Sequence, residues 1–196
     1  MTIERGEWRP ANFRSAVNWL VLSGCLVRRL EIAGRHSAEL LGQGDLVRPT
    51  DTDADTWVMV PSTATWRALE RTQLAVLGRR FASWAPQHPA AMNELLARAT
   101  RRSRTLALRL ALAQLPLVSA RLHFLLWHLA DRFGRVGRDG VTLTVPLTHG
   151  LLADLVSSSR PKVSEALGEL KRHGLVTRTA DRGWVLLGRP PTDVTR

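Results

Sequence analysis

The chain has 196 residues, 44% of them hydrophobic, which is enough apolar material for one large or two small packed domains and excludes a disordered polypeptide. A formal net charge of +11, carried mostly by arginine, suits a polyanion better than a neutral metabolite. Cys25 is the single cysteine, so an intrachain disulfide and a cysteine-ligated zinc or iron–sulfur centre are excluded; no apolar run is long enough for a membrane span or a secretory leader, and a reducing cytoplasm is the expected compartment.

Residues 1 to 90 consist of short apolar runs punctuated by Gly24, Gly34, Gly42, Gly44, Pro49, Pro61 and Gly78. Strands are expected at Val17 to Val21, Cys25 to Ile32, Ala38 to Leu41, Trp57 to Val60, Thr65 to Leu69 and Gln73 to Leu77, which together predict a small antiparallel β-barrel or jelly roll. About sixteen residues precede the first of these strands, so the barrel is expected to be short at its front. Trp19, Trp57 and Trp66 fall inside it, as core filling or, less favoured, as the lining of an apolar ligand pocket.

Residues 91 to 115 contain neither glycine nor proline and read as one long helix ended by Pro116. Met92, Leu96, Ala99, Ser103, Leu106, Leu110 and Ala113 recur at alternating spacings of four and three, the pattern of a seam against an identical helix, and predict a homodimer, with an ordinary intramolecular core helix as the alternative. A second stripe, Leu95, Leu108, Leu112 and Leu115, lies beside the seam and faces the chain's own domains. Arg98, Arg101, Arg102, Arg104 and Arg109 share this helix with no acidic residue between Glu94 and Asp131. Their partners are therefore expected outside the helix: carboxylates of the N-terminal domain, an anionic ligand, DNA phosphates, or water.

Leu117 to Phe133 is a further amphipathic helix through Leu122, Leu125, Leu126 and Leu129, broken by Gly134 to Gly140. Val141 to Val145 alternates as a strand before Pro146. Thr148 is placed to cap a short helix carrying Leu151, Leu152, Leu155 and Val156 on one face. Ser157, Ser158 and Ser159 interrupt the pattern, and Ser159 is expected to cap a second helix whose first turn tolerates Pro161. Val163, Ala166, Leu167 and Leu170 form its apolar stripe, leaving Ser159, Arg160, Lys162, Ser164 and Glu165 on or near the opposite face at the N-terminal end. Gly174 sits where a left-handed cap belongs, and Leu175 to Thr179 with Trp184 to Leu187 across Ala180 to Gly183 reads as a β-hairpin. Two short helices at this spacing followed by a hairpin make a winged helix-turn-helix, whose second helix meets base edges with its N-terminal end.

This order of barrel, long helix and winged helix resembles the Crp/Fnr family of bacterial transcription regulators, most specifically over Leu147 to Val176. The resemblance implies an α+β chain with a degenerate cyclic-nucleotide-binding-like sensor barrel at 1–90, a dimerisation helix at 91–115 and a DNA-binding domain at 116–196. It further implies a recognition helix opening with Ser159-Arg160-Pro161-Lys162-Val163, in which Arg160 reads a guanine. An acidic residue that often follows that arginine is replaced by Pro161, and Ser157 stands at a turn position where glycine is usual. Leu41-Gly42-Gln43-Gly44-Asp45-Leu46 is similar to the strand and turn before the family's phosphate cassette. The cassette does not follow: Arg48-Pro49-Thr50 and Ser62-Thr63 stand where a glutamate and a phosphate-pairing arginine are needed. A buried phosphate so poorly paired would cost several kcal/mol, so cyclic AMP is not expected to bind.

No catalytic or metal constellation competes with this reading. Asp51-Thr52-Asp53-Ala54-Asp55 begins like a calcium loop but continues with Thr56 and reaches Ser62 where a bidentate glutamate belongs. His36, His88, His123, His128, His149 and His173 lack paired-ligand spacing, and the serines near His149 lack a nucleophile elbow. The expectation is a non-enzymatic, cofactor-free, homodimeric DNA-binding regulator of a pseudo-palindromic site, with RNA polymerase a further partner and any small-molecule effector unidentified. Arg160 is assigned base readout, Ser159, Lys162 and Ser164 phosphate or base-edge contacts, and Arg178 and Arg182 backbone contacts from the wing. The alternatives are a winged-helix adaptor that docks a protein and a sensor of an apolar molecule held in the barrel.

Overall fold

The computed structural model describes residues 1–10, 16–48, 61–179 and 183–192. Two compact units divide the chain, Met1–Leu106 and Ala107–Arg196.

In the first unit the strands are β1 (Thr2–Ile3), β2 (Gly6–Trp8), β3 (Ala16–Ser23), β4 (Cys25–Ile32), β5 (Arg35–Gly42), β6 (Leu46–Val47), β7 (Thr63–Ala68) and β8 (Thr72–Gly78). They form two four-stranded antiparallel sheets, β1-β8-β3-β6 and β2-β7-β4-β5. The core lies between them. Ile3, Trp19, Val21, Val47 and Leu74 from one sheet meet Leu26, Leu41, Trp66 and Ala68 from the other. Trp19 and Trp66 are core residues, and Trp8 joins them, its ring 4.9 Å from Trp19 and edge-on to Trp66 at 5.8 Å. Tilted and edge-on indole pairs of this kind add about 0.5–1.5 kcal/mol each to the apolar burial.

The expected strands therefore form, except that Trp57 to Val60 and the acidic run Asp51 to Asp55 lie outside the described residues. The front of the barrel differs from expectation. Two short strands, β1 and β2, precede β3 and give each sheet an edge, because Ile3 and Trp8 reach the core even though their runs are too short to show a period. At the β5–β6 turn, Gly44 is held at φ 89°, and its carbonyl accepts a 3.3 Å hydrogen bond from Arg98. A Cβ there would collide with the Arg98 guanidinium. Asp45 braces the same turn by accepting from the Gly42 amide at 2.8 Å.

After a short helix, α1 (Arg79–Trp84), and a 3₁₀ turn comes α2 (Pro89–Ala113), 25 residues long. None of its residues is buried. Arg102 forms a two-pronged pair with Glu39 at 2.8 and 2.9 Å and also donates to the Leu46 carbonyl, meeting the expectation of a carboxylate partner. Arg98 departs from it: Glu94, one turn earlier, pairs with it at 2.8 Å, so an intrahelical ion pair does form. Met92, Leu96, Leu106 and Leu110 are 43, 67, 39 and 71% exposed, an uncovered apolar line along α2.

The second unit contains α3 (Val118–Phe133), β9 (Gly134–Gly137), β10 (Gly140–Leu143), α4 (His149–Leu155), α5 (Arg160–Arg172), β11 (Val176–Arg178) and β12 (Trp184–Leu186). Its sheet runs β11-β12-β10-β9, antiparallel throughout. The glycine-rich stretch expected only to break α3 supplies β9, paired Gly137 to Gly140 and Gly134 to Leu143. Leu122, Leu125 and Leu126 of α3, Leu152 of α4, Val163, Leu167 and Leu170 of α5, and Leu186 of β12 are the buried centre. Among the described residues no helix is long and apolar enough to cross a membrane.

Candidate nucleic-acid interface

The helix α4 starts where its sequence says it should. Thr148 has extended dihedrals, and its hydroxyl accepts from the Leu151 amide at 3.2 Å, satisfying a donor that the first turn leaves open. At the other end the Ser158 amide reaches back to the Ala153 carbonyl at 2.9 Å while Ser157 adopts φ 53°. The helix α5 ends in the same way: Leu175 donates to Leu170 at 2.9 Å and Gly174 to Lys171 at 3.0 Å, with Gly174 at φ 68°. One left-handed position is thus filled by glycine and the other by serine.

Two arginines hold the C-terminal end of α4. Arg109 donates to the Leu155 carbonyl at 3.0 Å, and Arg121 donates to Val156 at 3.5 Å and to Leu115 at 2.6 Å. Cations belong at this end of a helix, where carbonyls lack partners. Arg109 is accordingly a structural group and not one that reaches toward an outside anion.

Ser159 occupies the N-cap position of α5 with extended dihedrals, yet its side chain makes no capping hydrogen bond, contrary to expectation. Pro161 removes one of the two amides from which an N-cap hydroxyl accepts, that of the second helical position, although the third, that of Lys162, keeps its N–H. Ser159 instead contributes its carbonyl, which accepts from Val163 at 3.0 Å. Its hydroxyl is left exposed to solvent beside Arg160.

Arg160 and Lys162 are exposed, and their charged ends have no hydrogen-bond or ion-pair partner among the described residues. Ser164 is also exposed but engaged: its hydroxyl donates to the Arg160 carbonyl at 3.0 Å and lies 2.8 Å from His149 Nδ1. A serine hydroxyl has one proton, so His149 carries a proton on Nδ1 and donates it. Burial lowers the His149 pKa, and Arg178 and Arg160 lower it further by repulsion, which leaves the ring neutral near pH 7. The expected role of Ser164 is narrowed to its remaining lone pair.

In the wing, Trp184 is buried and its indole N–H donates to the Leu147 carbonyl at 3.1 Å. The Arg178 guanidinium lies 4.0 Å over its ring, and the His149 ring stacks beside it at 6.0 Å. Trp184 therefore ties the wing to the start of α4, and a planar arginine on an indole face is both attracted and held at the surface. Thr179 and Gly183 close the hairpin at 3.1 and 2.8 Å. Arg182, the other wing residue assigned to DNA, lies outside the described residues.

Ser159, Arg160, Lys162 and Ser164 thus sit together at the N-terminal end of α5, with Arg178 reaching the same neighbourhood through Trp184 and His149. The participation of His149 was not legible beforehand, since it is 15 residues from Ser164 and joins it only when α4 packs on α5. Among the described residues no group of three or more histidines, cysteines or carboxylates can hold a metal ion.

Residues 120–190 match the family described as the Crp-like helix-turn-helix domain. Over the whole chain, a CRP-family transcriptional regulator from Thermus thermophilus is 25% identical, with a TM-score of 0.71, covering 96% of this chain and 92% of that one. The c-di-GMP responsive global regulator CLP of Xanthomonas campestris shares the fold at 18% identity and a TM-score of 0.72, covering 96% and 93%. A cyclic nucleotide-binding domain containing protein from Listeria monocytogenes does so at 14% and 0.73, covering 94% and 87%. Comparison with curated proteins gave no match.

Proposed function

We propose that this chain, which carries a Crp-like helix-turn-helix domain on the fold of the Crp-family transcription regulators, is a homodimeric, sequence-specific DNA-binding regulator. Residues 1–90 serve as its sensor barrel, 91–115 as its dimerisation helix and 116–196 as its DNA-binding domain. The observation that carries the reading is the N-terminal end of α5, where Arg160 and Lys162 stand exposed and unpaired among the described residues while the opposite face of the helix is fully packed. Arg160 has the two-pronged geometry that matches guanine O6 and N7, and Lys162 supplies a point charge for phosphate. Ser159 and Ser164 add hydroxyls at the same end, and Arg178 and Arg182 are assigned contacts to the sugar-phosphate backbone.

The apolar line Met92, Leu96, Leu106, Leu110 supports pairing with a second copy, which would set two recognition helices in successive major grooves about 34 Å apart. RNA polymerase is a partner that a DNA-bound regulator would meet. Ser62 and Thr63, where a phosphate-pairing arginine would be needed, argue against cyclic AMP as the effector.

The test is selection from a random duplex pool by the purified chain with no ligand added. The expected product is a pseudo-palindrome whose half-sites lie about 10 base pairs apart, bound with an affinity that falls steeply with salt and is unchanged by cyclic AMP. Absence of any enriched sequence would refute the reading, and association with a protein that persists in high salt would favour an adaptor in its place.

A further inference from the structure

On α5, Val163, Ala166, Leu167 and Leu170 face the core, so successive 100° steps place Pro161, Ser164, Glu165, Gly168 and Arg172 on the outward stripe. Few of these offer a base-reading group. Pro161 has no polar side-chain atom. Gly168 has no side chain, and the space where its Cβ would stand is open. The Ser164 hydroxyl is already bonded to the Arg160 carbonyl and to His149. Arg172 lies at the far end of the helix, about 18 Å along the axis from Arg160. That leaves the Glu165 carboxylate, exposed and without a hydrogen-bond or ion-pair partner among the described residues.

A free carboxylate on this face is a physical problem unless it has a target. It is on the same helix as Arg160 and Lys162, on the side that would enter a groove walled by phosphates, where an unsatisfied negative charge repels the duplex. A carboxylate is acceptor-only, so it can be satisfied in the major groove only by a base that offers a donor. Guanine offers acceptors alone, and thymine an acceptor and a methyl group. Adenine sets its amino group beside the N7 acceptor, while cytosine offers an amino group with no neighbouring acceptor on that edge.

We infer that Glu165 is a specificity-determining residue that accepts a hydrogen bond from the N4 amino group of a cytosine in each half-site and rejects guanine and thymine there. This rests on the DNA-binding reading above. Glu165 lies about 7.5 Å along the helix axis from Arg160, so its base pair is about two steps from the guanine that Arg160 contacts. The pair gives attraction at one position and repulsion everywhere the cytosine is missing, so Glu165 raises discrimination more than affinity.

The experiment compares wild type, E165A and E165Q on the selected operator and on every single base-pair replacement in its half-site, at two salt concentrations. Wild type is expected to favour cytosine about tenfold or more at one position. In E165A that preference should shrink to within about twofold, while the preference set by Arg160 stays and the salt dependence keeps its slope. E165Q, which both donates and accepts, should raise the standing of adenine at the same position. Glu165 is exposed, so unchanged thermal unfolding midpoints will show that the variants are folded. The inference is overturned if both variants keep the wild-type base preferences, or if they lose affinity equally for all sequences. Failure of the DNA-binding reading is distinct, since wild type would then select no operator at all.

Discussion

Arg160 and Lys162 lie two residues apart, and their chemistry separates them. On the DNA-binding role proposed above, Arg160→Ala would remove a two-pronged contact to a base edge and is expected to cost about 1–3 kcal/mol on the selected operator while relaxing one base pair per half-site. Lys162→Ala is expected to weaken binding to all sequences alike and to reduce the salt slope by about one, because a phosphate contact has no sequence content. Titrating an operator library measures both, and equal affinities of Arg160→Ala and wild type across it would remove the assignment. At Ser157 the backbone is what matters. A side chain held at φ 53° meets the steric penalty of the left-handed region, which Gly174 avoids at the end of α5. Ser157→Gly is accordingly expected to stabilise the fold by about 1 kcal/mol, read as a higher urea midpoint at unchanged slope. The strain at Ser157 could be anticipated from its place after an apolar helix. The failed Ser159 cap could not, because the extended dihedrals and the free Lys162 amide both suit a capping serine.

Between residues and the whole lies α2, whose two sides do different work. Arg98 and Arg102 bind it to the barrel through Gly44, Leu46 and Glu39, whereas Leu96 and Leu110 stand 67 and 71% exposed. Apolar side chains aligned over several turns are costly in water unless another surface covers them. Sedimentation of L96E/L110E is therefore expected to show a dimer dissociation constant raised about tenfold or more, with far-UV circular dichroism unchanged because neither leucine supports the protomer's core. A variant as dimeric as wild type would place the subunit contact elsewhere. The heptad spacing of this face was plain in the sequence. Its boundary was less so: the helix ends at Ala113, short of Pro116, because proline disfavours helical dihedrals in the residue before it and the last turn has already loosened.

The molecule as a whole should weaken on mild acidification. His123 has its pKa lowered by burial; His128 is lowered chiefly by burial and by Arg132 and Arg109, against an opposing pull from Asp131; His149 is lowered by burial, Arg178 and Arg160. An unfolded chain takes up these protons near pH 6.5, above the folded values, so stability is full above 6.5 and is lost as pH falls through 6.5 toward the lowered folded values. Urea midpoints at pH 7.5, 6.5 and 5.5 should decrease in that order, and a level profile would contradict the burial assigned to the three rings.

Sequence alone determined the periodic features of this protein: the 2-residue alternation of Val141 to Val145, the 3.6-residue stripes of α3 and α5, the apolar line on α2, and the punctuation by Thr148, Pro161 and Gly174, each of which acts through its own backbone or its nearest neighbours. Tertiary structure decided what depends on distant segments meeting. Only packing brings β1 and β2 to the barrel's edges, sets Glu39 against Arg102 across 63 positions, and joins His149 to Ser164 and Trp184 beneath Arg178. The reason is physical: a period records which face of one element is apolar, whereas a hydrogen bond or a stacked ring depends on where two elements stop, and that is fixed by the volume of the core between them.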